Sequence, residues 1–392
     1  MNFVHSSLAP KFSIAYYFER RKRQTLQANR AIIHLGNLRN NIQAARKKAG
    51  SHPKICMPVK AGAYGHGAVA VSRCALENGV EYLGVAGFPE GKELRDAGIT
   101  APILIFSQVL PEELPAIVSL GLSPFVSDEE FIREAAQEAE QAGRKLNLHL
   151  KVDTGMGRMG CKPEEAAFLA KKIVSSKHLH LEGTATHLSV SDSLKNCDIA
   201  YTKEQLRRFK EVISSIEDAG LPPGIVHAAN SGALVFHEDS YFDMIRPGIF
   251  LYGYSPFNDD PSVVPVMELR SKVVFFKRVK KGESVSYGRT WIADEDTVIG
   301  VVPIGYADGF RRSLSNDHSF LIRGRAYPLA GTICMDQCMV NLGLETDVQR
   351  WDDAVVFGPG FINASDIAKK LNTISYEITC GINKRVLRVY EE

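Results

Sequence analysis

The chain has 392 residues, of which 45% are hydrophobic and 23% are charged, and this composition is typical of a soluble globular protein. Lysine and arginine together number 47 against 45 acidic residues, which excludes the strong basic excess expected of a nucleic-acid binder. No apolar run approaches the roughly 20 residues of a membrane span, so no membrane partner is expected either. At about 150 residues per domain, the length predicts two or three domains.

The cysteines and the first residues indicate the compartment. The seven cysteines are scattered, and no two form a Cys-x-x-Cys pair. This pattern predicts reduced thiols in a cytoplasm rather than a disulfide framework or a zinc site, and no metal site is predicted. Residues 1–29 lack a basic segment followed by an apolar stretch, so they are predicted to be an N-terminal extension rather than a secretion signal. The basic run Arg20–Arg23 within them is predicted to be a solvated face or a mobile arm.

From residue 30 to about residue 255, short β-rich segments alternate with amphipathic segments. The predicted strands are Ile55–Lys60, Tyr82–Ala86, Ile103–Phe106, Ser123–Val126, Leu146–Asp153, Leu179–Thr186, Ile225–Ala228 and Met244–Ile245. The predicted helices include Ala68–Asn78, Pro111–Leu120, Asp128–Ala142, Pro163–Ser175 and Thr202–Ala219. Eight alternations over about 220 residues predict an α/β fold of the (β/α)8 barrel type, with a doubly wound sheet as the structural alternative.

The pattern changes after residue 255. Ser255–Pro261 is rich in turn residues and reads as a linker, and residues 256–392 are predicted to form a second, mostly β domain. Its predicted strands are Leu269–Val279, Thr297–Pro303, Ser319–Ile322, Thr332–Leu342 and Ala354–Phe357, with one helix at Ser365–Leu371.

Lys60 is the first candidate for chemistry, since it ends a predicted barrel strand and is followed by Ala-Gly-Ala-Tyr-Gly-His-Gly. The carboxyl ends of barrel strands form the active-site face. A lysine that is partly desolvated there has a lowered pKa and can attack an aldehyde as a free amine. Taken alone, a lysine at a strand end is far more often an ordinary exposed side chain than a catalytic one.

Other clusters follow later strands, and each has an ordinary structural interpretation when taken alone. The segment His149–Gly160 places Arg158 in a glycine-rich loop, where it could bind a carboxylate or a phenolate, and His187 ends another strand. Segments His227–Gly232 and Ile245–Ile249 follow the last two strands, where barrels commonly bind phosphate. The β domain contributes Val285–Gly288, Gly305–Gly309 and Ile333–Gln337, whose tyrosines could simply be packing residues.

In their joint order these motifs resemble those of the alanine racemase family, from about Arg30 to Val389. The specific matches are Lys60–Gly67, Lys151–Gly160, Gly305–Gly309 and Cys334–Gln337. The resemblance implies a barrel followed by a β domain, a head-to-tail homodimer with shared active sites, and the cofactor pyridoxal 5'-phosphate. It implies an isomerase that racemises L-alanine and D-alanine, supplying D-alanine for peptidoglycan.

The resemblance also implies roles for individual residues. Lys60 would bind the cofactor covalently and act as the base for D-alanine, while Tyr287 of the partner subunit would be the base for L-alanine. A phenol has an ordinary pKa near 10, so Tyr287 needs His187 and Arg246 to polarise it. Arg246 would also face the pyridine nitrogen and keep it unprotonated, unlike the carboxylate of the related decarboxylases. Lys151 matches a lysine that is carbamylated in several members, which would let it orient Arg158.

The remaining matches concern phosphate and substrate. Arg158 would contact the cofactor's phenolic oxygen and the substrate carboxylate, and the Met335 amide would bind that carboxylate too. Tyr306, with Asp336, would come from the partner's β domain and narrow the entrance to the pocket. The implied phosphate site consists of Tyr64, Ser231, Gly248 and Ile249, with Asn230 beside it.

Two positions depart from the family pattern and leave alternatives open. Gly62 stands where the family usually has Asn or Asp, and Lys384 stands where many members have a phosphate-contacting tyrosine. Both departures leave the pocket wall, and hence the preferred substrate size, undetermined. One alternative is a broad-specificity racemase that also accepts serine or lysine. Another is a non-catalytic pyridoxal-phosphate-binding barrel, although that class lacks the second domain.

Overall fold

The computed structural model describes residues 27–256 and 260–392. These residues divide into a larger unit (Ile33–Glu268, Gly358–Gly381 and Tyr390–Glu392) and a smaller unit (residues 27–32, Leu269–Phe357 and Ile382–Val389). The basic run Arg20–Arg23, the predicted extension up to residue 26 and linker residues 257–259 lie outside the described residues. The predicted domain boundary at residue 256 stays a prediction, while the units place Gly358–Gly381 with the barrel.

The larger unit is built on eight strands, and each of the first six is paired in parallel with the next. They are Lys54–Pro58, Tyr82–Val85, Ile103–Ile105, Ser123–Val126, Leu146–Lys151, Leu179–Ala185, Ile225–His227 and Met244–Ile245. The last strand pairs with the first, with Met244 opposite Lys54. The ring closes at the last two strands, where the Asp243 amide donates to the Val226 carbonyl at 3.0 Å and the Arg246 amide donates to the Ala229 carbonyl at 2.8 Å. The predicted (β/α)8 barrel is therefore confirmed, and the doubly wound alternative is wrong.

Helices precede or connect the barrel strands. They are Leu35–Ala49, Ala68–Glu77, Phe88–Asp96, Leu114–Leu120, Glu129–Gln141, Ala166–Ser175, Asn196–Asp218 and Ser231–Phe236. The helix Glu129–Gln141 shows why the sequence folds this way: the Asp128 carboxylate caps it by accepting from the Phe131 amide at 2.8 Å. Its buried residues recur at spacings of three and four, so one face packs on the barrel.

The first strand is shorter than predicted, because it ends at Pro58 and not at Lys60. Lys60 begins a single turn in which Ala61, Gly62, Ala63, Tyr64 and Gly65 all have left-handed backbone angles, with φ between 52° and 85°. Left-handed conformations of residues with a Cβ cost roughly 1–2 kcal/mol each, so neighbouring contacts must hold this turn. The apolar run Ile55–Val59 continues up to Lys60 and therefore could not reveal the change of direction.

The smaller unit consists mainly of β-strands. Its six-stranded sheet has the order Arg325–Pro328, Ser319–Ile322, Asp353–Phe357, Met267–Lys272, Arg30–His34, Leu387–Glu391. A three-stranded antiparallel sheet has the order Phe275–Val279, Thr297–Val302, Cys338–Gly343, and a two-stranded one pairs Ser284–Val285 with Trp291–Ile292. The predicted mostly β character is confirmed.

Two predicted β segments differ from the observed strands. Leu269–Val279 is two strands in different sheets, because Val273 and Val274 bond to different neighbours, Asp352 and Val301. Of the predicted strand Thr332–Leu342, only residues 338–342 belong to a strand, Cys338–Gly343, and residues 332–337 form a loop before it. The predicted helix is observed at Ala364–Lys370, and a second helix, Ser375–Cys380, was not predicted.

Short 3-10 turns also lie among these elements. The 3-10 turns are Pro111–Glu113, Pro163–Glu165, Glu238–Ser240, Tyr287–Arg289, Tyr306–Asp308 and Arg312–Leu314. Within residues 27–256 and 260–392, no helix is long and apolar enough to cross a membrane.

Candidate active site

A cavity of about 860 Å³ opens where the barrel strands end. Each of the ten barrel residues singled out in the sequence lines it: Lys60, Tyr64, Lys151, Arg158, His187, Asn230, Ser231, Arg246, Gly248 and Ile249. They come from the segments that follow five of the eight strands or, for Lys151, from the last residue of its strand. The closed barrel brings these segments together, because it turns the same end of every strand toward one mouth.

Lys60 is half-buried at the edge of this cavity. Its pKa is lowered, first because burial disfavours the ammonium and second because the Arg158 cation repels it. The turn behind it is held by Glu90, whose carboxylate accepts from the Ala61 amide and from the Ala86 amide, both at 2.7 Å. The structure thus presents a lysine whose amine is freed of its proton more readily than that of an exposed lysine.

Arg246 lies buried in the centre of the barrel mouth. One of its terminal nitrogens donates to His227 Nδ1 at 2.8 Å, and the other donates to the Thr186 carbonyl at 2.8 Å and the Ala228 carbonyl at 3.1 Å. Burial lowers the pKa of Arg246 to about 10, which leaves the guanidinium charged at neutral pH. Its position is therefore fixed by three acceptors that a shorter lysine could not reach together.

A buried relay runs from Arg246 to the opposite end of the barrel. His227 Nε2 lies 2.8 Å from His149 Nδ1, and His149 Nε2 lies 3.1 Å from the Glu182 carboxylate. Because arginine can only donate, His227 must accept at Nδ1 and donate from Nε2, and His149 must do the same toward Glu182. Glu182 is thus the remote counter-charge of Arg246.

Electrostatics agree with this assignment of protons. Burial lowers the pKa of His149 and takes that of His227 well below its ordinary value, so both rings are neutral near pH 7. Burial alone would raise the pKa of Glu182, but the hydrogen bonds from His149, Ser123 and Tyr82 prevail, and the pKa is lowered. The sequence alone gave no reason to assign a role to His149, His227 or Glu182. The alternation of His149 and Lys151 on one strand is the signal that could have indicated inward-facing side chains.

His187 and Lys151 face the same mouth. His187 Nδ1 is 3.4 Å from Arg246, and burial together with this cation takes the pKa of His187 well below its ordinary value, so its ring is neutral. Lys151 is buried, and burial followed by repulsion from Arg246 lowers its pKa to about 7. At neutral pH a large fraction of its amine is therefore uncharged.

The glycine-rich loop is shaped by an aspartate. The Asp153 carboxylate accepts from the amides of Gly155, Met156 and Gly157 at 2.8–3.1 Å. Burial raises the pKa of Asp153, but these amides and Lys151 lower it overall. The folded loop places Arg158 in the cavity lining with its side chain exposed to solvent.

The predicted phosphate site has the donors and the space that an anion needs. Ser231 Oγ accepts from the Phe250 amide at 3.2 Å, which leaves the hydroxyl proton free to donate elsewhere. A Cβ at Gly248 would lie 2.6 Å from the Tyr64 hydroxyl, so only glycine leaves room between them. Asn230 caps a helix, accepting from the Ala233 amide at 3.0 Å and donating to the Leu188 carbonyl at 3.0 Å, and therefore supports the site from behind.

The donor set fits pyridoxal phosphate. A lysine with a lowered pKa suits an aldehyde, and the hydroxyls of Tyr64 and Ser231 suit a phosphate. The permanently cationic Arg246 suits a ring nitrogen that accepts a hydrogen bond. Within the described residues, no three His, Cys, Asp or Glu side chains are placed to hold a metal ion.

Four predicted residues lie in the smaller unit and not in the cavity lining. Tyr287 is 71% exposed, Met335 is 52% exposed and Tyr306 is 43% exposed. The Tyr306 amide donates to the Cys334 carbonyl at 3.1 Å, and this hydrogen bond joins the motifs Gly305–Gly309 and Cys334–Gln337. Arg385 links them again, since it bonds both Asp308 and Asp336 at 2.7 Å. Arg385 was another residue without a predicted role.

The two departures from the family pattern have different surroundings. A Cβ at Gly62 would meet no heavy atom within 4 Å. Lys384 is exposed and does not belong to the cavity lining. In the cavity, the ring of Tyr376 lies 5.5 Å from that of Tyr64. A second aromatic residue therefore does pack at the phosphate side, from the unpredicted helix Ser375–Cys380.

Comparison with known families gives matches to both parts of the chain. Residues 33–256 match the family described as "Alanine racemase, N-terminal domain", and residues 266–390 match "Alanine racemase, C-terminal domain". The alanine racemase of Treponema denticola is 46% identical over 93% of this chain and 98% of its own length. That of Treponema pallidum is 41% identical over 93% of this chain and 100% of its own length.

Solved structures agree with these matches. The alanine racemase of Clostridium difficile 630 superposes with a TM-score of 0.87 at 36% identity, covering 93% of this chain and 96% of its own. That of Bacillus anthracis with bound L-Ala-P superposes with a TM-score of 0.85 at 31% identity, covering 93% and 95%.

Proposed function

The chain belongs to the alanine racemase family, and we propose on this premise that it is an isomerase that interconverts L-alanine and D-alanine with pyridoxal 5'-phosphate. The observation that carries the proposal is the shared cavity of Lys60, Arg246 and the phosphate site. Lys60 would hold the cofactor's aldehyde carbon, Arg246 would face the ring nitrogen, and Tyr64, Ser231, Gly248 and Ile249 would hold the phosphate.

Racemisation requires that the Cα proton leave one face of the amino acid and return to the other. The cofactor, when bound, supplies an electron-withdrawing ring that makes this proton acidic enough to remove. The protein must then provide one base on each face, each with a pKa tuned toward the working pH. Lys60 meets this requirement on one face, because burial and Arg158 lower its pKa.

Arg246 would control the ring nitrogen. It donates hydrogen bonds and has no proton to give up near neutral pH, so it would hold that nitrogen unprotonated. The Glu182–His149–His227 relay occupies one side of the guanidinium and fixes its direction. An unprotonated ring withdraws electron density less strongly. This favours return of the proton to Cα over other reactions of the substrate.

Tyr287 is proposed as the second base, supplied by the partner subunit of a head-to-tail homodimer. Its ring is largely exposed on its own unit, as expected of a side chain whose working position lies in another subunit's cavity. His187 and Arg246 would polarise its phenol, and the neutral state of His187 suits a hydrogen-bonding role there. Lys60 would act on D-alanine and Tyr287 on L-alanine.

The remaining groups would hold the substrate. Arg158 would bind its carboxylate together with the amide of the partner's Met335, while Tyr306 and Asp336, also from the partner, would narrow the entrance. A narrow entrance favours the methyl side chain of alanine, although pocket size alone discriminates weakly per methylene. A broader substrate range including serine or lysine is the second candidate, since Gly62 and Lys384 depart from the family pattern.

Carbamylation of Lys151 is proposed as well. Carbon dioxide adds to a neutral amine, and a pKa of about 7 makes that form abundant at neutral pH. The added carboxylate would replace an unpaired buried cation with an anion that can orient Arg158. Among the described residues, the Lys151 amine has one hydrogen-bond acceptor, the Val152 carbonyl at 3.0 Å, which leaves its other positions free for this change.

The cellular role is proposed to be the supply of D-alanine for peptidoglycan in the cytoplasm. Every one of the seven cysteines is a free thiol, which accords with a reducing compartment.

The deciding experiment is exchange of the alanine α-hydrogen with deuterium from solvent. The protein loaded with cofactor should be yellow, exchange both enantiomers and racemise each. The variant Tyr287→Phe should lose racemisation in both directions, because the two enantiomers are equal in energy and their kcat/KM values must fall together. It should still exchange D-alanine through Lys60 while exchange of L-alanine is lost.

Two results would overturn the proposal. A yellow protein without exchange of either enantiomer would favour the non-catalytic cofactor-binding class. If Tyr287→Phe keeps its exchange of L-alanine, the second base has been assigned to the wrong residue.

A further inference from the structure

Tyr287 poses a problem of positioning. A base must lie within hydrogen-bond reach of the proton it removes, yet 71% of this residue is exposed in its own subunit. Packing within the unit therefore cannot fix where the phenol points. The backbone that carries the ring has to be held instead.

The backbone before Tyr287 is in an unusual conformation. Ser286 has φ 68° and ψ −177°, a region that is essentially restricted to glycine. A residue with a Cβ remains there only when its surroundings hold it in place. The Ser286 hydroxyl provides one such restraint by donating to the Thr332 carbonyl at 2.5 Å.

Thr332 provides the second restraint, on the other side of the strained residue. Its hydroxyl donates to the Tyr287 carbonyl at 2.8 Å. Thr332 therefore accepts from Ser286 through its backbone and donates to Tyr287 through its side chain. Two consecutive residues of the catalytic segment are bonded to one threonine.

Thr332 is itself well fixed. It is only 5% exposed, and its hydroxyl lies 3.3 Å from that of Thr290, which in turn accepts from Asn316 at 3.1 Å. Gly331 beside it has φ +89°, and a Cβ there would lie 2.5 Å from the Val285 carbonyl oxygen. Glycine thus permits the two segments to approach closely enough for both hydrogen bonds.

We propose that Thr332 is a positioning residue that aims the phenol of Tyr287 at the substrate through these two hydrogen bonds. The inference rests on the proposed function, in which Tyr287 is the base for L-alanine. It predicts that removing the Thr332 hydroxyl weakens catalysis on the L face alone.

The test compares Thr332→Val, which keeps the shape and removes the hydroxyl, with Thr332→Ser, which keeps the hydroxyl. The matched control is Thr297→Val, since Thr297 is equally buried in the same unit but bonds Asn341 at 2.6 Å. The readout is the exchange rate of the L-alanine α-hydrogen divided by that of D-alanine. A general loss of folding lowers both rates and leaves this ratio unchanged.

We expect Thr332→Val to lower the ratio roughly ten- to a hundredfold, the effect of misplacing a reacting group by about 1 Å. Thr332→Ser and Thr297→Val should keep the wild-type ratio. Hydrogen–deuterium exchange of the peptide containing Ser286 and Tyr287 should be faster in Thr332→Val than in Thr297→Val, whether or not substrate is present. Should Thr332→Val fail to fold, Ser286→Ala removes the other hydrogen bond and should lower the ratio in the same direction.

The outcomes separate this inference from the proposed function. An unchanged ratio and unchanged peptide exchange in Thr332→Val, with L-face exchange lost in Tyr287→Phe, would overturn the positioning role and leave the function intact. Retention of L-face exchange in Tyr287→Phe would overturn the function itself.

Discussion

The protonated state that is ordinary for a lysine fits the buried surroundings of Lys151 poorly. Its pKa falls from 10.5 to about 7 because the side chain is buried and faces Arg246. At about 1.4 kcal/mol per pKa unit, keeping the bare ammonium buried would cost roughly 5 kcal/mol. This penalty is fully present below pH 7 and is relieved as the pH rises toward the ordinary lysine pKa. Carbamylation would remove it at neutral pH.

We expect labelled bicarbonate to give a carbamate carbon resonance in the wild-type protein that is absent from Lys151→Met. The signal should fall as the pH is lowered through 7, because protonation removes the reactive amine. Carbon NMR across this pH range is the measurement. A Lys151-dependent signal missing at every pH, or a crystal structure at neutral pH with a bare Lys151 ammonium, would contradict the proposal.

At the scale of single residues, the sequence was informative where a motif carried the chemistry. The ten barrel residues that the motifs singled out all line the cavity. The motifs did not predict His149, His227 and Glu182, since a buried histidine on a strand looks the same in a sequence whether it packs or relays a hydrogen bond. The relay depends on contacts between residues far apart in the sequence: His149 is 78 residues from His227 and 33 residues from Glu182.

Among the elements, the left-handed turn after the first strand determines where Lys60 lies. Two glycines of this turn have the same backbone handedness but different surroundings. A Cβ at Gly65 would lie 2.2 Å from the Thr379 carbonyl oxygen, whereas one at Gly62 would meet nothing within 4 Å.

We therefore expect Gly62→Ala to lower the free energy of unfolding by only about 1 kcal/mol, the cost of the left-handed angle alone. Gly65→Ala should lower it by about 3 kcal/mol or more, because a backbone carbonyl must also move. Denaturant unfolding of both variants measures the difference. Equal losses in the two variants would show that the approach of Thr379 does not restrict this turn.

The element scale also shows where periodicity is a weak guide. The bounds of each barrel strand were predicted to within two residues, because burial on both faces gives a continuous apolar run. The pattern misleads where the backbone turns, since Lys60 and the segment Thr332–Gln337 continue a β-like pattern outside the observed strands. Both places hold proposed functional residues, where local preference yields to the needs of a site.

For the whole molecule, the important question is whether one subunit completes the site of another. Suppose that Lys60 of one subunit and Tyr287 of its partner act in the same site. A mixed dimer of one Lys60→Ala subunit and one Tyr287→Phe subunit then contains one site with both native residues and one site with neither. Random mixing makes half of the dimers mixed, so unfolding and refolding the two inactive variants together should restore about a quarter of wild-type racemisation. Racemisation assays on the refolded mixture, with each variant refolded alone as the control, measure this recovery. No recovery would place both bases in the same subunit or exclude the dimer.

By itself, the sequence determined the fold class, the family and ten of the barrel residues that line the cavity. These depend on local patterns, because strand periodicity and contiguous motifs are written within short windows. Only the tertiary structure decided that the barrel closes, that Arg246 is balanced by Glu182 through two histidines, and that Thr332 holds the strained segment before Tyr287. Those features join residues far apart in the chain, and their distances exist only once the strands have been brought into one ring and the loops folded against each other.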